Sequence, residues 1–386
     1  MKFVFYANTD WYLYNFRLST ALRLKSEGHE VVMLSPPGEY GERFAAHDLR
    51  WIRLAMDRSS LNPFREAALI SSLTRLLRQE RPDLLHNFTV KCAVYGAIAA
   101  RAARVPAVVN AVAGMGYVFA SDRLLARSLR PVVKLLMRGT LGSKQSRLIL
   151  QNPDDADAFV RARLVPEGHI RVIRSSGVNL ERFLPVVPEL EPRPLRVLLA
   201  ARLLWEKGIG EYIDAARMLR AQGRNIQFVI AGSPDPGNPR SVSREQAEGW
   251  MAEGLVDWRG HVEDMPALMR SMDVIALPSY YREGVPKSLI EAAACGLAVV
   301  TTNLPGCREV VSDHGIDGLH VEPRSARSLA ECIAQLDDDR DLVRRLGECA
   351  RRKAMEHFDE QMVIRRTIEV YDELLPARRA TARAVA

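Results

Sequence analysis

Between Asp273 and Thr302 the chain reads DVIALPSYYREGVPKSLIEAAACGLAVVTT, and no other stretch restricts the fold as much. Val274 to Leu277 is an apolar run of strand length, Gly284-Val285-Pro286 makes a turn, and Pro286 suits the first position of a helix that Gly296 ends. The unit is strand, loop, helix, strand. Its loop leaves the carboxyl end of a parallel strand and enters a helix, so free backbone N–H groups and the positive end of the helix dipole aim at one point. That geometry suits a phosphate.

Two carboxylates bracket the point. Glu283 and Glu291 are eight residues apart; on one helix, at about 100° per residue, they would diverge by roughly 80° and share no face. Pro286 separates them. Glu283 falls in the loop, free to reach a ligand's hydroxyls, while Glu291 lies inside the helix and can point back toward the same cavity. Lys287 and Ser288 stand in the first turn, a poor place for a lysine on dipole grounds unless an anion binds there. The plain alternative is a helix with a solvated acidic entry; the joint fit of Gly284, Val285, Pro286, Ser288 and the following AAACG favours a site. EGVPKSLIE resembles the E-x7-E signature of the retaining, family-4 nucleotide-sugar glycosyltransferases of GT-B fold.

A chain of 386 residues is too long for one ordinary core, so two domains are expected. No apolar run approaches the ~20 residues of a membrane span, and Met1-Lys2 runs straight into the strand-like Phe3 to Ala7. A cytoplasmic chain without a signal peptide is therefore expected. Five cysteines are scattered and form no C-x-x-C pair, which supports neither a zinc site nor a disulfide framework. The net charge of +7 is concentrated in Arg123, Arg127, Arg130, Lys134, Arg138, Lys144 and Arg147, interleaved with Leu124, Leu125, Leu129, Val132, Val133, Leu135, Leu136 and Met137 and with no acid among them. This pattern can bind an anionic membrane surface or a lipid diphosphate, or it can be a core-packed helix with a solvated basic face. No motif of a nucleic-acid-binding module occurs, so no nucleic acid partner is expected.

Along the chain, Lys2 to Ala7 reads as a strand, Phe16 to Ser26 as a helix and His29 to Ser35 as a second strand. The intervening Asn8 to Asn15 reads as a loop without glycine where a Rossmann fold places its phosphate loop, which argues against a dinucleotide site. Its aromatic and polar character suits a sugar or lipid-linked acceptor, with Asp10, Asn15 and Arg17 as contacts; equally, Trp11 and Tyr14 can simply pack the domain. Phe64 to Gln79 and Lys91 to Ala103 read as helices, and Pro82 to Phe88, Pro106 to Val112 and Arg147 to Gln151 as strands. The exit of Pro106 to Val112 is glycine-rich, and Gly114, Gly116 and Tyr117 there join the acceptor contacts. Asp155 and Asp157 read as first-turn acids of a helix, not as a metal site.

Pro185, Pro188, Pro192 and Pro194 mark the domain linker, placing the boundary at 185/186. A second βα series follows, which argues for two Rossmann-like domains facing each other with the site in the cleft between them. At its head stands Ala201-Arg202-Leu203-Leu204-Trp205-Glu206-Lys207-Gly208. Arg202 follows a strand and Lys207 precedes a helix, so both can converge on the phosphates that the Gly284 loop holds. An Arg, a Lys and a helix N-terminus form a diphosphate clamp without a metal. Gly232, after the strand Ile226 to Ala231, joins the donor side.

The family resemblance covers nearly the whole chain. RSSLNPF, AARLLWEKGIGEYIDAA, LPSYYREGVPKSLIEAAACG and PGCREVV are similar to bacterial transferases that add an N-acetylhexosamine such as GalNAc to an undecaprenyl-diphosphate-linked saccharide. The resemblance implies an α/β GT-B architecture: an acceptor-binding domain over 1–185, a nucleotide-sugar-binding domain over 186–360, and a final helix over about 361–386 packing back on the first. It implies retaining transfer from a UDP-sugar with no cofactor and no metal, in capsule, O-antigen or glycan assembly, on the cytoplasmic face of the inner membrane. Arg202 and Lys207 would hold the donor diphosphate, Glu283 the sugar hydroxyls and Glu291 the ribose. Many family members carry a His after the strand here placed at Pro106 to Val112, where this chain has Ala113-Gly114, so no catalytic base carries over. A soluble acceptor, a nucleotide-sugar epimerase or phosphorylase, and a non-catalytic binding protein are the rival readings.

Overall fold

The computed structural model describes residues 1–57, 60, 62–113, 124–185, 193–235 and 237–375. The expected acceptor contacts Gly114, Gly116 and Tyr117, the prolines 188 and 192, and the tail beyond Leu375 lie outside them. The chain forms two compact units, Met1–Ser176 with the segment from Val363 on, and Gly177–Met362. The division falls before the proline-rich segment because Val178 already belongs to the second unit. Its N–H donates to the Phe358 carbonyl at 2.8 Å, its carbonyl accepts from Glu360 N–H at 3.0 Å, and Val178 and Phe183 are buried in that unit's core.

The first unit is built on β1 (Lys2–Tyr6), β2 (Glu30–Ser35), β3 (Arg50–Arg53), β4 (Leu84–Phe88), β5 (Ala107–Val112), β6 (Ser146–Leu150) and β7 (Ile170–Val172). They form one sheet in the order β3-β2-β1-β4-β5-β6-β7. The second unit carries β8 (Leu195–Ala200), β9 (Ile226–Ala231), β10 (Asp257–Trp258), β11 (Val274–Leu277), β12 (Ala298–Thr302) and β13 (Leu319–Val321), in the order β10-β9-β8-β11-β12-β13. Neighbouring strands pair in parallel throughout both sheets. Both orders are those of a doubly wound Rossmann sheet, with a crevice where the winding reverses, at β1/β4 and at β8/β11. The inner strands are near-continuous apolar runs because helices cover both faces of the sheet. Edge strands β3 and β10 lack such runs, which is why hydrophobic patterning passes over them.

The segment expected as a loop, Asn8 to Asn15, is mostly helical. The first helix runs Asp10–Ser26, and Thr9 caps it by accepting from Tyr12 N–H. Asp10 is 5% exposed. Its carboxylate accepts from Trp11 N–H and from Tyr40 and Gly41 N–H, each at 2.8 Å, so it holds the turn before a short helix rather than facing a ligand. Asn15 is exposed and donates to the Trp11 carbonyl at 3.0 Å. Arg17 turns inward and is 6% exposed.

The basic stretch Arg123 to Arg147 is described from Leu124 on, Arg123 lying outside the described residues. It divides between helix Leu124–Leu141 and strand β6. Met137 and Leu141 are fully buried, whereas Leu135 is 70% exposed. Arg138 donates to the carbonyls of Ala162 and Arg163, and Arg147 pairs with Glu373 at 2.9 Å. The helix Glu360–Leu374 completes the first unit's core, with Val363, Ile364, Ile368 and Tyr371 buried among Phe3, Phe5, Met33 and Leu84.

In the second unit Tyr212 is fully buried, and its hydroxyl lies 2.8 Å from the Val197 carbonyl and 3.1 Å from that of Val229. Tyr212→Phe keeps the ring and removes the bond between helix and sheet. The expected cost is about 1 kcal/mol of unfolding free energy, measured by urea denaturation.

Candidate functional site

Four strand exits converge at the carboxyl end of the second sheet, on either side of the β8/β11 crevice. The loop after β8 turns through Trp205–Lys207 into the helix Ile209–Ala221 at Gly208, whose φ is +81°. A Cβ there would lie 2.3 Å from the Pro278 carbonyl oxygen, so glycine lets the β8 exit press against the β11 exit. Tyr280 N–H donates to the Glu206 carbonyl at 3.0 Å and fastens the two. The β12 exit is joined through Thr302, whose hydroxyl donates to the Ser279 carbonyl at 2.7 Å.

Within this frame Lys207 and Glu283 meet. Lys207 Nζ lies 2.5 Å from Glu283 Oε1, with side-chain exposures of 16% and 10%. Ser279 Oγ is 2.8 Å from the same oxygen and 3.1 Å from the Glu206 carbonyl. Oε2 of Glu283 has no partner among the described residues, which leaves one carboxylate oxygen to receive a hydroxyl. Ser279 carried no signal in the patterning; its place four residues before Glu283 in LPSYYREG is the only hint.

Arg202 does not join this pair. It is half exposed and pairs with Asp235 at 2.7 Å, across the exits of β8 and β9. Gly232 stands at the head of that second loop, with φ +145° and a would-be Cβ only 1.8 Å from the Ala201 carbonyl oxygen. Its N–H donates to the Gly260 carbonyl, which fixes the loop that carries Asp235.

The helix after β11 spans Lys287–Cys295, with Pro286 as its N-cap at φ −63° and no side chain capping its first turn. Gly296 ends it in the left-handed conformation at φ +81°. Val285 and Pro286 are buried, and Gly284 and Ser288 half-buried, at the mouth of the helix. Lys287 Nζ reaches back to the Gly177 carbonyl at 3.3 Å and lies 3.9 Å from Glu291 Oε1.

Burial pushes the Glu291 carboxyl above the usual carboxylate range, against the pull of Lys287 and Arg182. The folded protein therefore holds this proton more tightly than the unfolded chain. Stability falls as pH rises from the unfolded pKa through the folded one, and the penalty is complete above both. Glu291→Gln removes it. The variant is expected to melt higher than wild type at neutral pH, with the difference vanishing below about pH 4, as a series of thermal melts would read.

Among the described residues no group of three or more His, Cys, Asp or Glu gathers in metal-binding geometry. The charges that collect at the β8/β11 crevice are a lysine, a buried glutamate and a helix N-terminus. Such a set can hold an anion and a polyhydroxyl group side by side.

Comparison with known proteins bears on what the set does. Residues 183–353 match the family model of glycosyl transferases group 1, and residues 2–152 that of glycosyl transferase 4-like proteins. The chain is 30% identical, over 97% of its length and 99% of the relative's, to the N,N'-diacetylbacillosaminyl-diphospho-undecaprenol alpha-1,3-N-acetylgalactosaminyltransferase of Campylobacter jejuni. It is 26% identical, over 78% of its length and 77% of the relative's, to an Escherichia coli UDP-Gal:alpha-D-GlcNAc-diphosphoundecaprenol alpha-1,3-galactosyltransferase. Among solved structures, Anabaena HepE in complex with UDP and glucose superposes with a TM-score of 0.77 at 20% identity, covering 96% of this chain and 99% of that one.

Proposed function

We infer, from the premise that this chain belongs to the glycosyl transferases group 1 family and is a glycosyltransferase of GT-B fold, that it moves a hexosamine from a UDP-sugar to a polyprenyl-diphosphate-linked saccharide with retention of configuration. The observation that carries the donor side of this reading is the meeting of Lys207, Glu283 and Ser279 beside the N-terminus of helix Lys287–Cys295. The activities for which the Campylobacter and Escherichia relatives are named support the acceptor class.

In this reading the helix N-terminus at Gly284 to Ser288 and Lys207 receive the donor diphosphate. Arg202 leaves Asp235 to join them. Half exposure and a single partner make that movement cheap, because an exposed ion pair contributes only about 0.2–1 kcal/mol. Glu283 holds the sugar hydroxyls through Oε2 while the glycosidic bond to the β-phosphate breaks and positive charge builds at the anomeric carbon. The leaving β-phosphate takes the proton of the attacking acceptor hydroxyl, so no protein base is required. Glu291 holds the ribose, and Glu291→Gln should weaken UDP about tenfold, as isothermal calorimetry would read, since a bond to a charged acceptor contributes about 1.5–3 kcal/mol.

Metal independence belongs to the same proposal, because the clamp is made of cationic side chains and backbone N–H groups. Turnover unchanged by EDTA checks it. On the first unit, Asn15 and Arg17 remain open as acceptor contacts. No helix among the described residues is long and apolar enough to cross a membrane. Peripheral attachment to the anionic face of the inner membrane through helix Leu124–Leu141, which exposes Leu135 and carries Lys134, is the placement that suits a lipid-linked acceptor.

UDP release from a panel of UDP-sugars, with and without an undecaprenyl-diphosphate-linked sugar, tests the reading. Release that depends on the lipid and follows one UDP-hexosamine is the expected result. Release at the acceptor-free rate for every donor overturns the lipid-linked assignment.

A further inference from the structure

In the first unit a second set of polar groups surrounds a small cavity lined by Tyr12, Arg17, His86, Ala113, Gln151 and Ser175. Its volume is about 10 Å³, room for one water-sized group. Arg17 is 6% exposed and His86 fully buried. The Arg17 guanidinium lies 4.6 Å from the centre of the Phe88 ring and donates to the Tyr12 hydroxyl at 3.1 Å. No carboxylate among the described residues pairs with it, and its Nε–H, which is buried, has no partner.

His86, which lines the same cavity, carries a second unpartnered atom, Nε2. Its protonation follows from its neighbours. Burial drives the Tyr371 phenol well above its ordinary range, so the hydroxyl stays protonated; it lies 2.7 Å from His86 Nδ1, as donor or acceptor according to the ring's tautomer. Burial, with Arg17 beside it, holds the His86 ring well below its ordinary value and therefore neutral. A neutral ring that accepts at Nδ1 carries its proton on Nε2. In that tautomer both orphan groups are donors. Ser175 lines the same cavity in a left-handed conformation, φ +64°, that costs a non-glycine residue about 1–2 kcal/mol.

A buried donor without an acceptor on a permanent cation, beside a second unpartnered nitrogen, is a costly arrangement. A water can fill the cavity but leaves the charge of Arg17 unneutralised. We propose that this cavity is an oxyanion pocket of the first unit, in which Arg17 Nε–H and His86 Nε2–H receive an oxygen of a phosphate or diphosphate. The ligand comes either from the diphosphate of the lipid-linked acceptor, which rests on the proposed function, or from free phosphate or diphosphate, which does not.

The test uses the full chain labelled with [15N]histidine and saturated with UDP, so that the second unit's anion site is filled. Inorganic diphosphate is titrated, and the His86 signal is identified by its loss in His86→Gln. The Nε2 resonance of His86 is expected to carry a bound proton and to shift saturably with diphosphate. Arg17→Gln is expected to weaken the binding at least about tenfold. Where that variant does not fold, the wild-type titration alone decides. An Nε2 signal unmoved at millimolar phosphate and diphosphate, or equal binding by a folded Arg17→Gln, overturns the pocket and leaves it a water site.

Detergent-solubilised polyprenyl diphosphate then distinguishes the sources. Competition with inorganic diphosphate supports the acceptor as ligand, accompanied by an acceptor KM raised at least about tenfold in Arg17→Gln with the donor KM unchanged. Binding of free diphosphate without such competition supports the pocket and assigns it to the free anion. Failure of the acceptor reading itself is seen separately, as UDP release indifferent to the lipid.

Discussion

Glu283→Gln is expected to lower kcat by about 10²–10³-fold while leaving the Kd for UDP within a few-fold of wild type. The two side chains have the same shape, so Ser279 Oγ and Lys207 Nζ keep their neighbour and the loop keeps its course. What changes is charge. In the proposed reaction the positive charge at the anomeric carbon appears only as UDP leaves, and a carboxylate beside it strengthens its interaction at that moment, whereas an amide does not. Lys207, no longer facing a negative charge at 2.5 Å, remains available to the diphosphate. Steady-state kinetics and calorimetry with UDP separate the two effects, and a comparable loss of turnover and UDP affinity would falsify the role assigned to Glu283.

Gly306→Ala is expected to destabilise the second unit by at least about 3 kcal/mol and to abolish UDP binding in what remains folded. Gly306 has φ +83°, and a Cβ built there falls 1.4 Å from the Gly284 carbonyl oxygen and 2.8 Å from that of Glu283. Both obstacles are backbone, so no rotamer change relieves them. The β12 exit would have to withdraw from the β11 exit, and with it the turn that sets Glu283 and the start of helix Lys287–Cys295. Urea denaturation followed by the near-ultraviolet signal of the second unit's tryptophans measures the loss. A midpoint within experimental error of wild type would show that the two exits are not held against each other as described.

These two residues differ in how readable they were. Glu283 stands in a spacing, E-x7-E around a proline, whose chemistry follows from where a helix can begin. Gly306 stands in PGCREVV, where nothing local distinguishes a glycine that turns the chain from one that makes room for another loop. The first is a property of neighbours in sequence; the second depends on a carbonyl 22 positions away in numbering, at Gly284. The same contrast holds in the first unit. Asp10 and Arg17 both read as polar contacts of a loop, but Thr9 caps a helix there. The helix turns Asp10 onto the N–H groups of Tyr40 and Gly41 and turns Arg17 into the interior.

The linker shows a subtler difference. Prolines mark where a chain cannot continue a helix or a central strand, and they do so regardless of what the chain packs against. Where one unit ends is set instead by burial, and Val178 is buried with Phe358 of the second unit before the first of those prolines is reached.

What the sequence by itself determined was the alternation of apolar strands with amphipathic helices, the doubled parallel-sheet architecture, and the loop-to-helix unit around Glu283 to Glu291. Each follows from periodicity, from glycine and proline chemistry, and from charges placed at helix ends, all of which act over a few residues. Only the tertiary structure decided that Lys207 rather than Arg202 meets Glu283, that Ser279 shares its carboxylate, and that Arg17 and His86 line one cavity, each with one nitrogen left without a partner. Those pairings join residues 76, 4 and 69 positions apart in numbering. Where a long side chain points is settled by which strand exits a parallel sheet brings together, and strand order across a sheet is not written in local patterning.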